Sequence, residues 1–235
     1  METTTGTPRL VLLPGLGARG FMYAPQRRAF PQLEAVEWIP HQRREILAAY
    51  ARRLSATITG PGPILLGGIS FGGHVALEMV QHLRTRLDVR GVVLIAASRS
   101  PHGIRPSLRA LAWLAPFMPA PLLHPILEPL INGGRWLLGP LTPEGKAVVA
   151  ELARRVDTRF ALWSYGAMAR WPGVDVEHLG VPVWEVHGSH DRVIPVQRVT
   201  PDRVVPGGGH LVNVTHAPEV NAFLAEMLAK AASRE

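Results

Sequence analysis

Residues 64–73 read ILLGGISFGG, and this stretch decides the fold. Its first part, Ile64–Leu66, is a short apolar run that predicts a buried strand, and helical periodicity begins at about Phe71. Between them lies a Gly-x-Ser-x-Gly motif centred on Ser70. A strand that turns sharply into a helix needs glycines beside the serine, because larger side chains would clash with the crossing backbone. We therefore predict that Ser70 is a nucleophile on a strained turn at a helix N-terminus.

A serine hydroxyl becomes a good nucleophile when a base removes its proton, and an imidazole oriented by a carboxylate does this at neutral pH. Residues 183–195 read VWEVHGSHDRVIP, which predicts a strand, a turn and the acid Asp191. Residues 206–210 read PGGGH and place His210 after a glycine-rich loop. We predict that His210 is the base for Ser70 and that Asp191 orients it, because Ser, Asp, His is the expected chain order for such a serine.

Each of these residues has a plainer interpretation when it is taken alone. Ser70 could stand on an ordinary glycine-rich turn, Asp191 could solvate its own loop, and His210 could be a surface histidine. Glu185 occupies a strand position where an apolar residue is expected, and pairing with a nearby arginine is the simplest explanation. His74 is expected to face outward from the helix after Ser70. Packing or surface roles are expected for all four competing histidines, namely His74, His187, His190 and His216.

Taken together, the segments at 64–73, 183–195 and 206–210 resemble the α/β-hydrolase superfamily, and the likeness runs through most of the chain. The resemblance implies an α/β fold with a mostly parallel central sheet flanked by helices. In general layout the chain is similar to the pimeloyl-carrier methyl-ester hydrolases of that superfamily. The fold supports many chemistries, so the resemblance alone does not identify the substrate.

Acyl transfer also requires hydrogen-bond donors that point at the oxyanion of the tetrahedral intermediate. The backbone N–H of Phe71, at the start of the predicted helix, is one candidate donor. The resemblance implies that the second is the backbone N–H of Leu16, in the loop LPGLG at 13–17. Many relatives carry a histidine where Pro14 stands in this chain, and an ordinary Gly/Pro turn is the alternative for this loop.

The rest of the chain alternates short apolar runs with segments of helical period, as in a parallel sheet covered by helices. Helical periodicity at 46–58 and 220–228 predicts two of those covering helices. Residues 98–172 break the rhythm, and we predict that they form a helical cap inserted after the fourth strand. The predicted core is then 1–97 with 173–235. The predicted strands are Leu10–Leu13, Val36–Ile39, Ile64–Leu66, Val92–Ala96, Val183–Val186 and Arg203–Val205.

The predicted cap is rich in large apolar side chains, most of which we expect to form its own core. The remainder would line a pocket for an apolar acyl group. Arginines outnumber acids in the first part of the cap, which suits a small ester substrate with an acidic carrier or a CoA portion. The candidate pocket residues are Trp113, Phe117, Trp136, Trp163 and Met168.

Composition excludes several classes of protein. The chain has no cysteine, so disulfides, thiolate metal sites and cysteine nucleophiles are absent. Its net charge is +7, but the arginines are scattered and do not predict a nucleic-acid groove. No metal-ligand spacing or dinucleotide fingerprint is present, so we expect no metal and no cofactor. The N-terminus lacks a signal-peptide pattern and no apolar run is long enough to span a membrane, so a cytoplasmic location is expected.

We therefore predict a carboxylic-ester hydrolase that works through an acyl-enzyme intermediate. A thioesterase and a carbon–carbon bond hydrolase remain open, because both reactions can use the same three residues. A binding protein that keeps the fold without catalysis also remains open. Reaction with a fluorophosphonate would separate an activated serine from such a scaffold.

Overall fold

The computed structural model of the protein describes residues 7–114 and 135–233. In this part of the chain six parallel strands form one sheet in the order β2-β1-β3-β4-β5-β6. The strands are β1 (Arg9–Leu13), β2 (Glu34–Ala35), β3 (Ile64–Ile69), β4 (Val89–Ile95), β5 (Val183–Gly188) and β6 (Arg203–Val205). The order reverses direction at β1, so the carboxyl ends of β1 and β3 flank the crevice where open α/β sheets bind ligands.

Helices connect these strands along the chain. They are α1 (Ala24–Ala29), α2 (Leu47–Ser55), α3 (Phe71–Leu83), α4 (Pro106–Leu114), α5 (Arg135–Leu138), α6 (Pro143–Arg155), α7 (Thr158–Arg170), α8 (Val212–Thr215) and α9 (Ala217–Ala232). Short 3-10 turns cover Gly20–Tyr23, Pro101–Gly103 and Val196–Arg198. Helices α4 to α7 lie between β4 and β5 in the chain, where the sequence predicts the helical insertion. The domain boundaries at 97/98 and 172/173 stay a prediction.

Side chains that alternate along the strands fill two separate cores, one on each face of the sheet. On one face, residues such as Leu13, Leu66 and Leu94 pack with buried side chains of α2, α3 and α7. On the other face, residues such as Leu12 and Ile95 pack with buried side chains of the Gly20–Tyr23 turn and α9. The sheet is therefore covered on both sides, as expected for parallel strands.

The predicted fold class is confirmed, with one strand placed wrongly. The second strand is Glu34–Ala35, not Val36–Ile39. Val36 makes the last bond to this edge, because its N–H donates to the Leu12 carbonyl over 2.9 Å. Beyond it Trp38 turns into an aromatic cluster against Phe71 and Phe160, so packing ends the strand early.

Candidate active site

Ser70 stands between β3 and α3 with φ of 53° and ψ of −122°. This is a backbone region that residues other than glycine rarely occupy, and strain of this kind is often stored at functional sites. The turn is fixed by its own backbone: Ser70 N–H donates to the Ile95 carbonyl over 3.0 Å, and its carbonyl accepts from Gly73 N–H over 2.9 Å. The Ser70 side chain does not cap α3 and extends towards His210.

The glycines of the motif are required by close backbone approach. A Cβ on Gly72 would lie 2.3 Å from the Leu13 carbonyl oxygen and 2.4 Å from that of Pro14. A Cβ on Gly68 would lie 2.6 Å from the Gly72 carbonyl carbon and 2.7 Å from the Leu13 oxygen. Both positions exclude any larger residue because the obstructing atoms are backbone. This packing also presses the end of β1 against the elbow, which is our name for residues 68–72.

The structure brings the three predicted residues into one hydrogen-bonded line. His210 Nε2 lies 2.9 Å from Ser70 Oγ, and His210 Nδ1 lies 2.7 Å from Asp191 Oδ2. Because Asp191 is a carboxylate, it accepts the proton of Nδ1, which leaves Nε2 free to accept the Ser70 hydroxyl. The His210 backbone is held by donation of its N–H to the Leu138 carbonyl at the end of α5, over 2.7 Å.

Asp191 is only 4% exposed and is fully bonded. Its Oδ1 accepts the backbone N–H groups of Val193 and Ile194, each over 2.9 Å. Burial opposes its ionisation, but the neighbouring rings of His210 and His187 outweigh burial and lower the pKa of Asp191 well below its usual range. The carboxylate is therefore ionised at neutral pH and can stabilise an imidazolium at His210.

The candidate oxyanion donors lie on the two segments that the elbow glycines press together. Phe71 is the first residue of α3, so its N–H points along the helix axis and has no partner within the helix. Leu16 follows the Leu13–Pro14 segment that contacts Gly72, and its side chain packs on the core beneath. The turn is closed by donation from Ala18 N–H to the Gly15 carbonyl over 3.0 Å.

A buried tyrosine that the sequence analysis missed bonds these two segments together. Tyr23 is fully buried, its hydroxyl donates to the Leu13 carbonyl over 2.6 Å, and it accepts the Ile69 N–H over 3.1 Å. Burial raises the pKa of Tyr23 well above its usual range, so the hydroxyl remains a donor. The neighbouring Met22 accepts the Gly15 N–H on its sulfur over 3.1 Å. No sequence motif marks this pair, because the partners of Tyr23 lie at the ends of β1 and β3, which are far apart in the sequence.

The competing histidines do not approach Ser70 as His210 does. His74 is completely buried rather than facing outward, so that expectation is wrong. Its Nε2 lies 3.1 Å from Ser98 Oγ, and its ring packs edge-on against Trp171 with ring centroids 4.8 Å apart. Burial and, secondarily, repulsion by His210 lower the pKa of His74 to about 3, so it is neutral at ordinary pH. The rings of His190 and His216 each bond the hydroxyl of the preceding residue. His187 contacts Asp191, with Nε2 3.2 Å from Oδ2.

An aromatic cluster begins next to the nucleophile. Phe71 contacts Trp163 in an edge-to-face arrangement with ring centroids 6.2 Å apart, and Phe160 and Tyr50 complete the contact with Trp163 at 5.4 and 4.6 Å. Met168 is partly buried against the same core. These side chains come from α2, α3 and α7, so the cluster is formed between helices distant in sequence.

The other three predicted pocket residues, Trp113, Phe117 and Trp136, lie elsewhere in the chain. Trp113 is 52% exposed near the end of α4. Trp136 lies in α5 and Phe117 lies outside the described residues. In the ranges 7–114 and 135–233 no helix combines the length and the apolar character needed to cross a membrane. Those residues also include no cluster of three or more His, Cys, Asp or Glu side chains suited to a metal ion.

Comparisons with known proteins agree with this architecture. The sequence matches the Alpha/beta hydrolase family over residues 7–223. A curated protein of Synechocystis sp. that carries a non-heme chloroperoxidase name is 34% identical over 64 residues, which cover 23% of each chain. The matched region is thus about a quarter of that relative.

Solved structures match over nearly the whole chain. A thermophilic esterase from Thermogutta terrifontis is 19% identical with a TM-score of 0.68, over 98% of this chain and 92% of the esterase. An N-acyl homoserine lactonase is 17% identical with a TM-score of 0.72, over 98% of this chain and 91% of the lactonase. At these identities the likeness describes the fold.

Proposed function

The chain belongs to the alpha/beta hydrolase family, and from this premise we propose that it is a serine hydrolase that cleaves carboxylic esters through an acyl-enzyme. One observation carries this function. Ser70 Oγ, the His210 ring and the Asp191 carboxylate lie in line, with contacts of 2.9 and 2.7 Å, at the end of a strained strand-to-helix turn. A nucleophile, its base and the group that orients the base are the parts that acyl transfer requires.

In the first half of the reaction, Ser70 Oγ attacks the ester carbonyl carbon and its proton passes to His210 Nε2. The tetrahedral oxyanion accepts the backbone N–H groups of Leu16 and Phe71, and Asp191 stabilises the imidazolium without taking its proton. When the intermediate collapses, His210 returns the proton to the departing alcohol, and the acyl group remains on Ser70.

In the second half, water replaces the alcohol. His210 Nε2 takes a proton from the water as its oxygen attacks the acyl carbon, and the same oxyanion donors are used again. Collapse of this intermediate returns the proton to Ser70 Oγ and releases the carboxylic acid. Each group ends in its starting state, so no cofactor is consumed.

The aromatic cluster supports a substrate with an apolar acyl group. Phe71 supplies a candidate oxyanion N–H, and its buried ring contacts the partly exposed Trp163, so an acyl chain bound at Ser70 would meet aromatic surface at Trp163. Met168 would widen or narrow the same space because its side chain is flexible. Trp113, Phe117 and Trp136 remain candidate pocket residues on the evidence of the sequence.

An acidic carrier or CoA portion has weaker support than the acyl pocket. It was expected from arginines at the cap entrance, but Arg99 is already bonded to Asp202 over 2.8 Å and lies 3.6 Å from Glu185. Arg109 donates to the Ala169 carbonyl over 3.3 Å. The pairing of Arg99 with two carboxylates leaves less positive charge for an anionic partner, so we propose a small-molecule ester as the substrate.

The function is tested by hydrolysis of p-nitrophenyl esters from acetate to laurate. We expect the wild type to turn over at least part of the series and Ser70→Ala to lose about a thousandfold or more in kcat/KM. Ser55→Ala is the matched control, because Ser55 is a buried serine of α2 whose hydroxyl bonds the Arg52 carbonyl of the same helix. Equal activity of wild type and Ser70→Ala would contradict the proposal. Activity on acyl thioesters alone would show that the substrate is a thioester and not a carboxylic ester.

A further inference from the structure

Two buried ionisable residues of β5 have no part in the mechanism above. Glu185 and His187 are two positions apart, so they point to the same face of the sheet, and both are completely buried. A carboxyl group and an imidazole are costly to bury unless they are paired. Because both residues lie next to Asp191, we expect the free-energy cost of burying them to serve the position of that carboxylate.

The protonation of His187 Nε2 follows from its neighbours. Nε2 lies 2.7 Å from the Ile194 carbonyl oxygen and 3.2 Å from Asp191 Oδ2. Both neighbours are acceptors, and an unprotonated ring nitrogen would be repelled by them. Nε2 therefore carries a proton.

The opposite ring nitrogen faces a carboxyl group. His187 Nδ1 lies 3.4 Å from Glu185 Oε1, and neither Nδ1 nor the two Glu185 oxygens has a hydrogen-bond partner elsewhere in the described structure. The contact is attractive only if a proton lies between these groups. Arg99, with its Nε 3.6 Å from Glu185 Oε2, favours the charged carboxylate, so the proton belongs on the ring.

We propose that Glu185 and a doubly protonated His187 form a buried ion pair that positions Asp191 through the same carboxylate oxygen that His210 contacts, an assignment that rests on the proposed function. Asp191 Oδ2 then lies between two imidazoles, 2.7 Å from His210 Nδ1 and 3.2 Å from His187 Nε2. The same His187 nitrogen contacts the Ile194 carbonyl, and the Ile194 N–H bonds Asp191 Oδ1. This closed ring prevents the carboxylate from rotating away from His210.

Glu185 has a separate part in this arrangement. A lone imidazolium beside Asp191 would compete with His210 for the charge of that carboxylate. Glu185 balances the His187 cation, so Asp191 keeps its charge for the imidazolium that forms at His210. Both act through Asp191 and are positioning residues.

Several other charged or titratable groups face the pair. Asp202 accepts the Glu185 N–H over 2.8 Å and also bonds Arg99, and Arg198 lines the same cavity of about 260 Å³ as Glu185. From α3, His74 reaches Ser98 on the rim of that cavity, and burial keeps it neutral. Burial alone would lower the pKa of His187, but its contacts with Asp191 and Glu185 raise it to about 9. The imidazolium is therefore retained at neutral pH.

The wild type tests the pair without any need for activity. With ¹⁵N-labelled histidine, side-chain NMR at neutral pH should show protons on both ring nitrogens of His187, with loss of one as the pH rises through about 9. A His187 ring with a single proton at neutral pH would overturn the inference. Because this readout needs no substrate, it stands even if the protein proves not to cleave esters, and such a failure would count against the proposed function instead.

A second test removes only the charge of Glu185. In Glu185→Gln we expect the His187 signal to lose its second proton at a lower pH and kcat to fall roughly tenfold to a hundredfold with little change in KM. The alkaline limb of the pH profile of kcat should shift to lower pH, together with the His187 transition seen by NMR. Glu226→Gln is the control, because Glu226 bonds Arg203 and Lys230 on exposed surface. A fall in kcat with an unchanged pH profile and unchanged His187 titration would indicate a structural role and overturn the inference.

Discussion

The elbow at the end of β3 and the segment 189–195 after β5, which carries Asp191 and which we call the acid loop, hold their side chains in place by different means. At the elbow, a Cβ on Gly72 would lie 2.3 Å from a backbone oxygen, and Ser70 adopts a positive φ of 53°. At the acid loop, the oxygens of Asp191 are surrounded by N–H groups and by the rings of His187 and His210. The first region is built by steric fit of backbone, and the second by buried charge.

This difference predicts how each region responds to change. Steric fit does not depend on pH, so substitutions at the elbow should lower stability at every pH. The acid loop depends on protonation, so substitutions there should lower activity and should change the free energy of unfolding by an amount that varies with pH. The predictions below use this contrast, from the largest expected effect to the smallest.

Asp191→Asn should have the largest effect on activity. An amide cannot hold His210 in the tautomer with a proton on Nδ1, so we expect kcat to fall about a thousandfold to ten-thousandfold. Steady-state hydrolysis of the best p-nitrophenyl ester measures this. Asp175→Asn is a matched control, because Asp175 also lies 2.7 Å from a histidine, His178, but on exposed surface. A loss of less than tenfold in Asp191→Asn would contradict the role of the acid.

Gly72→Ala should have the largest effect on stability. The new methyl group would meet the Leu13 and Pro14 carbonyl oxygens, so the elbow must shift, and we expect unfolding to become easier by about 3 kcal/mol or more. Chemical denaturation measures this loss, which should be similar at pH 6 and pH 8. Gly145→Ala, in α6, is the control, because its methyl group would meet only side chains, the nearest at 3.1 Å. Equal stability of the two variants would break the steric half of the comparison.

Tyr23→Phe tests the hydroxyl bonds that join the elbow to the end of β1. It leaves the Ile69 N–H and the Leu13 carbonyl without their buried partner, which costs about 1–3 kcal/mol of stability for each such group. We also expect kcat to fall roughly tenfold while KM changes little, because the oxyanion donors are misplaced. Ser55→Ala removes a buried hydroxyl bond to the Arg52 carbonyl, in α2 and away from the elbow, and should leave kcat nearly unchanged. Equal loss of kcat in both variants would show that Tyr23 does not position the oxyanion donors.

Trp163→Phe should give the smallest effect, a change of substrate preference. The smaller ring leaves room beside Phe71, so activity on longer acyl chains should rise relative to acetate by a few-fold to about tenfold. The ratio of kcat/KM values along the ester series measures this. Trp113→Phe is the comparison variant, because Trp113 is a competing pocket candidate that is exposed near the end of α4. An altered chain-length profile in Trp113→Phe but not in Trp163→Phe would move the acyl pocket away from the aromatic cluster.

Much of the fold and the line of three residues could be predicted because their signals are local. The strand, the glycines and Ser70 lie within ten residues. Positions where backbone atoms exclude a Cβ can be seen in the sequence because glycine occupies them. The loops that carry Asp191 and His210 have similar short signatures.

Features built from distant segments could not be predicted in the same way. Tyr23 joins the ends of β1 and β3, and His74 is buried by Trp171 from far along the chain. The contacts of Glu185 and His187 depend on residues from β5 and three loops. Only Glu185 gave a signal, as a carboxyl group in an apolar strand. The pocket residues stay a prediction, because aromatic residues that line a site and those that fill a core have the same composition.

The most direct test of the central claim is covalent labelling with a fluorophosphonate, followed by mass analysis of the peptide that contains residues 64–73. We predict a single adduct on Ser70, lost in Ser70→Ala and slowed about a thousandfold in His210→Ala. No adduct on the folded wild type, or an adduct on another serine, would contradict an activated nucleophile at the elbow.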